Sequence, residues 1–184
     1  MTKRALVLLH QGFEEIEAIT PMDLLTRAKV EVTQAYLGES PVVTGRSGIT
    51  LNAEKPLHEA SSKEFDLIVL PGGPGILQLR GDEAICRLLR QQVESGRTIG
   101  CICAAPLLLL DAGLLTDGMK YTAHCSTLDE LPHAEKDTVV IDGPIITSTG
   151  AGTSTEFSLE LVRQIVGDSI AKEIAGAIAW RHPF

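Results

Sequence analysis

Gly100-Cys101-Ile102-Cys103-Ala104-Ala105-Pro106 closes a short apolar run that begins at Thr98 and leads directly into Leu107–Leu110. The run reads as a buried strand that turns into a helix at Cys103. In an open α/β fold, a side chain at such a turn projects from the carboxyl end of a parallel sheet, where ligands bind. The first amides of the following helix point back at it. Cys103 is therefore the candidate nucleophile.

Working outward, the same pattern of buried strand, polar or glycine-rich end and amphipathic helix repeats. Ala5–Leu9 is a continuous apolar run of the kind covered on both faces. Glu14–Ala28 follows with Ile16, Ile19, Leu24 and Leu25 on a helical stripe, and Pro21 predicts a kink or restart. Val30–Leu37 alternates as a strand, and Pro41–Leu51 has the composition of short strands and turns. Phe65–Leu70 is a further buried strand, ended by Pro71, Gly72 and Gly73, and Asp82–Ser95 is a helix closed by Gly96. Beyond Cys103, Ala104–Ala112 predicts a short helix, and Met119–Ala123, Thr138–Ile141 and Ile145–Thr149 predict strands. A helix carries Phe157, Leu161 and Val162, and Ser169–Trp180 repeats isoleucine at 170, 174 and 178. Strands alternating with helices predict a mainly parallel sheet with helices on both faces, in one domain spanning residues 1–184.

Composition narrows the function. The net charge of −8 and the lack of a basic run argue against nucleic-acid binding. No apolar segment reaches membrane-spanning length, and Met1–Leu9 reads as a first strand rather than a secretory signal, so a cytoplasmic protein is expected. Cys86, Cys101, Cys103 and Cys125 then read as reduced thiols. Cys101 is expected to be a small buried hydrophobe and Cys86 to lie on the apolar side of its helix. The spacing of Cys101, Cys103, His124 and Cys125 is a poor zinc pattern, and no metal is expected.

Three strand ends, after residues 9, 70 and 102, carry polar or glycine-rich segments. Gly72 and Gly73 allow close backbone approach, and an amide there can join that of Ala104 in holding an oxyanion; a plain tight turn is the alternative. Glu14, Glu15 and Glu17 open a helix, where carboxylates offset the macrodipole. Glu17, whose neighbours Ile16 and Ala18 belong to a segment entering the core, is the candidate for a buried acid that stays protonated beside a thiolate. His124 is the candidate acid/base near Cys103, with a surface role as the alternative.

Taken together, Lys3-Arg4-Ala5-Leu6-Val7, Gly12-Phe13-Glu14-Glu15-Ile16-Glu17, Val69-Leu70-Pro71-Gly72-Gly73, Ile102-Cys103-Ala104-Ala105-Pro106, Thr147-Ser148 and Gly150 through Phe157 resemble the DJ-1/PfpI superfamily, in particular its DJ-1-like branch. The resemblance implies a flavodoxin-like three-layer sandwich, a homodimer, and Cys103 on a nucleophile elbow. It also implies that Glu17 is the cysteine's partner, that Gly73 and Ala104 supply oxyanion amides, that His124 is the pocket histidine, and that Arg27 and Arg46 lie near the pocket, one of them reaching across the dimer, to bind anionic or carbonyl-rich groups. The implied activity is cofactor-free conversion of methylglyoxal to lactate or repair of glycation adducts. The alternative is a redox-sensing or chaperone-like stress protein using the same low-pKa, accessible thiol. Cys125, Thr149 and Ala151 depart from the close DJ-1 pattern, and Ala104 stands where the peptidase-like branch has histidine.

Overall fold

The computed structural model describes residues 2–183; Met1 and Phe184 lie outside the described residues. Its central sheet is built from β1 (Arg4–Leu9), β2 (Glu31–Tyr36), β5 (Lys55–Pro56), β6 (Leu67–Leu70), β7 (Thr98–Ile102), β8 (Val139–Asp142) and β9 (Ile145–Ser148), in the order β5-β2-β1-β6-β7-β9-β8. Every neighbouring pair is parallel except β8 with β9. A separate hairpin joins β3 (Val42–Thr44) to β4 (Thr50–Asn52).

Strand periodicity divides the core in two. On β1, Ala5, Val7 and Leu9 enter one cluster with Leu25, Phe157 and Ile174, while Leu6 and Leu8 enter another with Ile85, Leu89 and Leu107. The first cluster packs α1 (Glu15–Arg27), α5 (Ser154–Val166) and α6 (Asp168–Ala177) on one face. The second packs α2 (Leu57–Ala60), α3 (Glu83–Glu94) and α4 (Pro106–Asp111) on the other. This is the flavodoxin-like α/β sandwich expected from strands that are apolar on both faces. Cys101 and Cys86 are buried in the second cluster, as small hydrophobes.

Local chemistry fixes the ends of these elements. The Asp82 carboxylate caps α3 by accepting the amides of Ala84 and Ile85, and Gly96 follows with φ +70°, a left-handed stop. Gly100 sits where α5 crosses β7: a Cβ there would lie 2.8 Å from Leu161 and 2.9 Å from Phe157. The helix therefore approaches the strand beneath Cys103 more closely than any side chain would allow.

Two sequence expectations fail. Met119–Ala123 is not a strand, because β7 and β8 already occupy both edges of β9. Its backbone is satisfied instead by the Thr147 hydroxyl, which accepts from the Thr122 amide at 2.9 Å, and by the Glu135 amide, which donates to the Tyr121 carbonyl at 2.7 Å. Pro21 neither ends nor restarts a helix; α1 runs through it with Pro21 and Met22 buried.

The topology also sets the site. The chain leaves β1 for β2 on one side and later returns to β6 on the other, so β1 and β6 flank a switch point. A crevice opens at the carboxyl ends of the strands around such a point.

Candidate active site

Cys103 follows β7 immediately and adopts φ +65°, a left-handed conformation that a residue with a Cβ rarely holds. Two hydrogen bonds keep it there: its amide donates to the Ser148 carbonyl, and its carbonyl accepts from the His124 amide, each at 2.9 Å. The chain then enters a turn at Ala104 and Ala105 before α4, with Pro106 at the first helical position. This is the geometry of a nucleophile elbow, with backbone strain located at the cysteine.

The loop after β6 fits against the elbow through glycine. A Cβ on Gly72 would lie 2.7 Å from Cys103 Cβ, 2.8 Å from Glu17 Oε2 and 2.9 Å from the Ala104 amide nitrogen. A Cβ on Gly73, which has φ +100°, would collide with the Gly12 carbonyl. Both residues are thus required by close approach, beyond the needs of a tight turn.

Glu17 reaches the same point from α1 and is fully buried. Its helix is held in register by Glu14, whose carboxylate accepts the Glu17 amide at 2.9 Å, and by the Glu14 amide, which donates to the Gly72 carbonyl at 3.1 Å. Oε2 of Glu17 accepts the Gly72 amide at 2.8 Å. Oε1 is buried without a well-aligned hydrogen bond, and the Cys103 thiol acts on this carboxyl more strongly than any other neighbour. Ile16, by contrast, is 53% exposed, so burial of Glu17 comes from the helix face it shares with Pro21 and Leu24, not from its sequence neighbour.

Burial raises both ionisable groups. It pushes Glu17 up to about 7, against the Cys103 thiol and the Gly72 amide, which favour the charge. With Glu17 ionised, the Cys103 thiol is pushed up to about 12, first by burial and then by the carboxylate charge, while the Gly73 and Ala104 amides oppose the rise. The sequence-based expectation of a low-pKa thiol is therefore reversed whenever the carboxylate is charged. The two groups titrate as a unit that accepts one negative charge readily and a second only with difficulty. Two amides favour that charge on sulfur, and a proton on Glu17 removes the repulsion and supplies a donor.

The crevice forms a cavity of about 420 Å³ lined by Glu17, Cys103, Gly73, Ala104, His124 and Arg46, with Leu77 and Leu107 adding apolar wall. Nδ1 of His124 accepts the Ser126 amide at 3.2 Å and lies 2.9 Å from its hydroxyl, so the neutral ring carries its proton on Nε2. Arg46 comes from the turn of the β3–β4 hairpin, and its amide donates to the Phe13 carbonyl at 2.8 Å. Glu15 anchors the same turn by accepting the Ser47 amide at 2.7 Å and the Ile49 amide at 3.4 Å. Burial opposes the charge on Glu15, but these amides outweigh it and hold its pKa below the usual range.

Of the sequence candidates, Cys103, Glu17, His124, Gly73, Ala104 and Arg46 come together. Arg27 does not: it ends α1 roughly 15 Å along the axis from Glu17 and pairs with Asp23 at the surface. Cys125 is exposed, 4.0 Å from His124 Nδ1. Sequence reasoning missed Glu14 and Glu130, which also line the cavity. Arg80 holds Glu130 at 2.8 Å and Asp111 at 2.7 Å. No local pattern reveals that network, since its members are separated by 19 to 50 positions along the chain.

A partly accessible cysteine on a strand-to-helix elbow, backed by a buried acid at the switch point of a flavodoxin-like sheet, defines an α/β protein of the cysteine-elbow class. The chain belongs to the DJ-1/PfpI family, whose model matches residues 3–164. The crystal structure of Drosophila melanogaster DJ-1beta superposes with a TM-score of 0.93 at 35% identity, covering 99% of this chain and 100% of that one. Protein DJ-1 homolog B of Arabidopsis thaliana is 41% identical over 90% of this chain, which spans only 39% of that relative's length. Glutathione-independent glyoxalase DJR-1.2 of Caenorhabditis elegans is 37% identical over 90% of both chains. Among the described residues no helix is long and apolar enough to cross a membrane.

The buried carboxyl makes stability depend on pH. With its folded pKa raised from 4.5 to about 7, Glu17 contributes stability that is fully present below pH 4.5 and lost as pH rises through 7, by about 3 kcal/mol at most. Urea unfolding should show the wild type losing ground to Glu17→Gln between pH 4.5 and 8; parallel profiles for the two proteins would refute the buried, protonated acid.

Proposed function

We propose that the protein is a cofactor-independent glyoxalase or deglycase, converting small 2-oxoaldehydes such as methylglyoxal to 2-hydroxy acids or releasing their early adducts. The observation that carries this reading is the fully buried Glu17 carboxyl set against the Cys103 thiol, with the Gly73 and Ala104 amides acting on the sulfur. A relative named as a glutathione-independent glyoxalase supports it.

In this reading the Cys103 thiolate attacks the aldehyde carbon, and the Gly73 and Ala104 amides hold the oxygen that becomes negative. Glu17 gives that oxygen its proton and, as carboxylate, removes the hydrogen from the same carbon. The resulting enediol is reprotonated at the neighbouring carbon to give a lactoyl thioester on Cys103. His124, with its proton on Nε2, donates to the second oxygen during this transfer. Water then cleaves the thioester, releasing lactate and the thiol, so that methylglyoxal and one water are consumed for each lactate formed. The step needs no metal, flavin or nicotinamide. Leu77 and Leu107 offer the apolar wall for the methyl group, and Arg46 favours carbonyl-rich or anionic ends.

A second reading rests on one further observation. Cys103 is partly accessible, whereas Cys86 and Cys101 are buried. Peroxide entering the cavity meets the only cysteine among these three that has a proton-donating partner, and a sulfur-bound oxygen would accept from Glu17.

We also infer that a second copy covers the exposed Ile16 and Ile19 of α1 together with Ile49 of the hairpin turn. Their exposures of 53%, 41% and 56% place apolar surface beside the segments that carry Glu17 and Arg46.

Lactate should form from methylglyoxal with purified protein, fall to background in Cys103→Ser, and drop by about 10²-fold or more in Glu17→Gln; turnover that survives Cys103→Ser would end the mechanism. After mild peroxide, intact mass should show added oxygen and peptide mapping should locate it on Cys103 rather than on the exposed Cys125. Sedimentation should report a dimer that Ile16→Asp dissociates, and a monomeric wild type would rule out the inferred interface.

A further inference from the structure

His10 lies just past β1, is 2% exposed, and takes no part in the mechanism above. Burial lowers its pKa from the ordinary histidine value, against the two backbone carbonyls, which favour the charge, so burial works toward the neutral ring. Both ring nitrogens face backbone carbonyls: Nδ1 is 3.2 Å from the Gln11 oxygen and Nε2 is 3.3 Å from the Pro71 oxygen. A carbonyl only accepts, and a neutral imidazole has one N–H for these two acceptors. The ring must therefore choose between them. It is wedged under the 71–75 loop tightly enough that a Cβ on Gly75 would lie 2.6 Å from Nδ1.

The Pro71 carbonyl belongs to the same peptide unit as the Gly72 amide, and that amide donates to Glu17 Oε2 at 2.8 Å. One planar group thus joins His10 to Glu17. A donor on the carbonyl oxygen polarises the peptide and makes its N–H a stronger donor; an anion on the N–H makes the oxygen a better acceptor. An ionised Glu17 therefore favours the tautomer with the proton on Nε2, and that tautomer in turn favours ionised Glu17.

We propose that His10 is a positioning residue that holds the Pro71–Gly72 peptide and, through it, sets the proton affinity of Glu17, the tautomer of the ring shifting as the carboxyl gains or loses its proton. The titratable and charged groups that act on Glu17 directly are Cys103, Glu14 and Arg46, with His124 on the same cavity. Among the described residues, the hydrogen-bond partners of His10 are both backbone carbonyls. The coupling therefore passes through the peptide rather than through a second charge. It rests on the Cys103–Glu17 pair of the proposed mechanism but not on the substrate, so a failure to turn over methylglyoxal leaves it standing.

The test is the ring itself. Long-range ¹H–¹⁵N spectra of the ¹⁵N-labelled protein, taken between about pH 5 and 9, read which nitrogen of His10 carries the proton. The His10 signals should shift toward the Nε2–H tautomer through an inflection that disappears in Glu17→Gln. A single unchanging tautomer, or the same inflection in Glu17→Gln, overturns the proposal. In His10→Phe, the inflection in the pH profile of Cys103 alkylation by iodoacetamide should rise by roughly half a pH unit, because the weakened Gly72 amide supports the carboxylate less. An unmoved profile in that variant counts equally against it.

Discussion

The structure of the site depends on one close approach. At the end of β7 the chain turns at Cys103 in a left-handed conformation, and the Gly72 backbone lies against it with no space for a Cβ. That contact places the loop after β6, the elbow and Glu17 at one point. Three segments far apart in sequence meet there because each ends a strand, or begins a helix, on the same edge of the sheet. The conformational cost at Cys103, of order 1–3 kcal/mol, is offset by the Ser148 and His124 hydrogen bonds and by the packing of α5 under Gly100.

Much of this was legible in the sequence, and the reason is physical. Strands covered on both faces must be apolar throughout, so β1, β6 and β7 stand out as runs, and the polar or glycine-rich residues that follow them mark the edge where ligands bind. Cys103, Gly72, Gly73 and Ala104 could be read from position alone. Glu17 is buried as expected, but for a different reason: its neighbour Ile16 points outward, and the glutamate is buried because α1 turns that face toward the loop after β6.

What the sequence concealed depends on partners that are remote along the chain. Met119–Ala123 has strand composition but meets a sheet whose edge is already filled, an outcome decided by β8. Arg27, which only the family resemblance assigns to the pocket, is carried away from Glu17 within its own chain by helical rise and pairs with Asp23. The acidity of the thiol depends on the protonation of its partner, which a list of amides and helix ends does not include. Desolvation and the carboxylate beside the sulfur are larger, and both arise only when the crevice closes around the pair.

That closure bears on the choice between chemistry and oxidation. A pair that holds one negative charge and one proton can do two things, and both use the same atoms. The proton on Glu17 can be passed to an oxygen of a bound carbonyl and taken back from carbon, which is turnover; or it can remain on the carboxyl and hold an oxygen already attached to sulfur, which is storage of an oxidised state. The first requires Glu17 to lose and regain its proton at neutral pH, and burial has brought it to about 7, where both forms are populated. The balance at Glu17 is set first by burial, which favours the proton, against the sulfur and the Gly72 amide, which favour the charge, with the Glu14 charge adding to the rise and Arg46 opposing it.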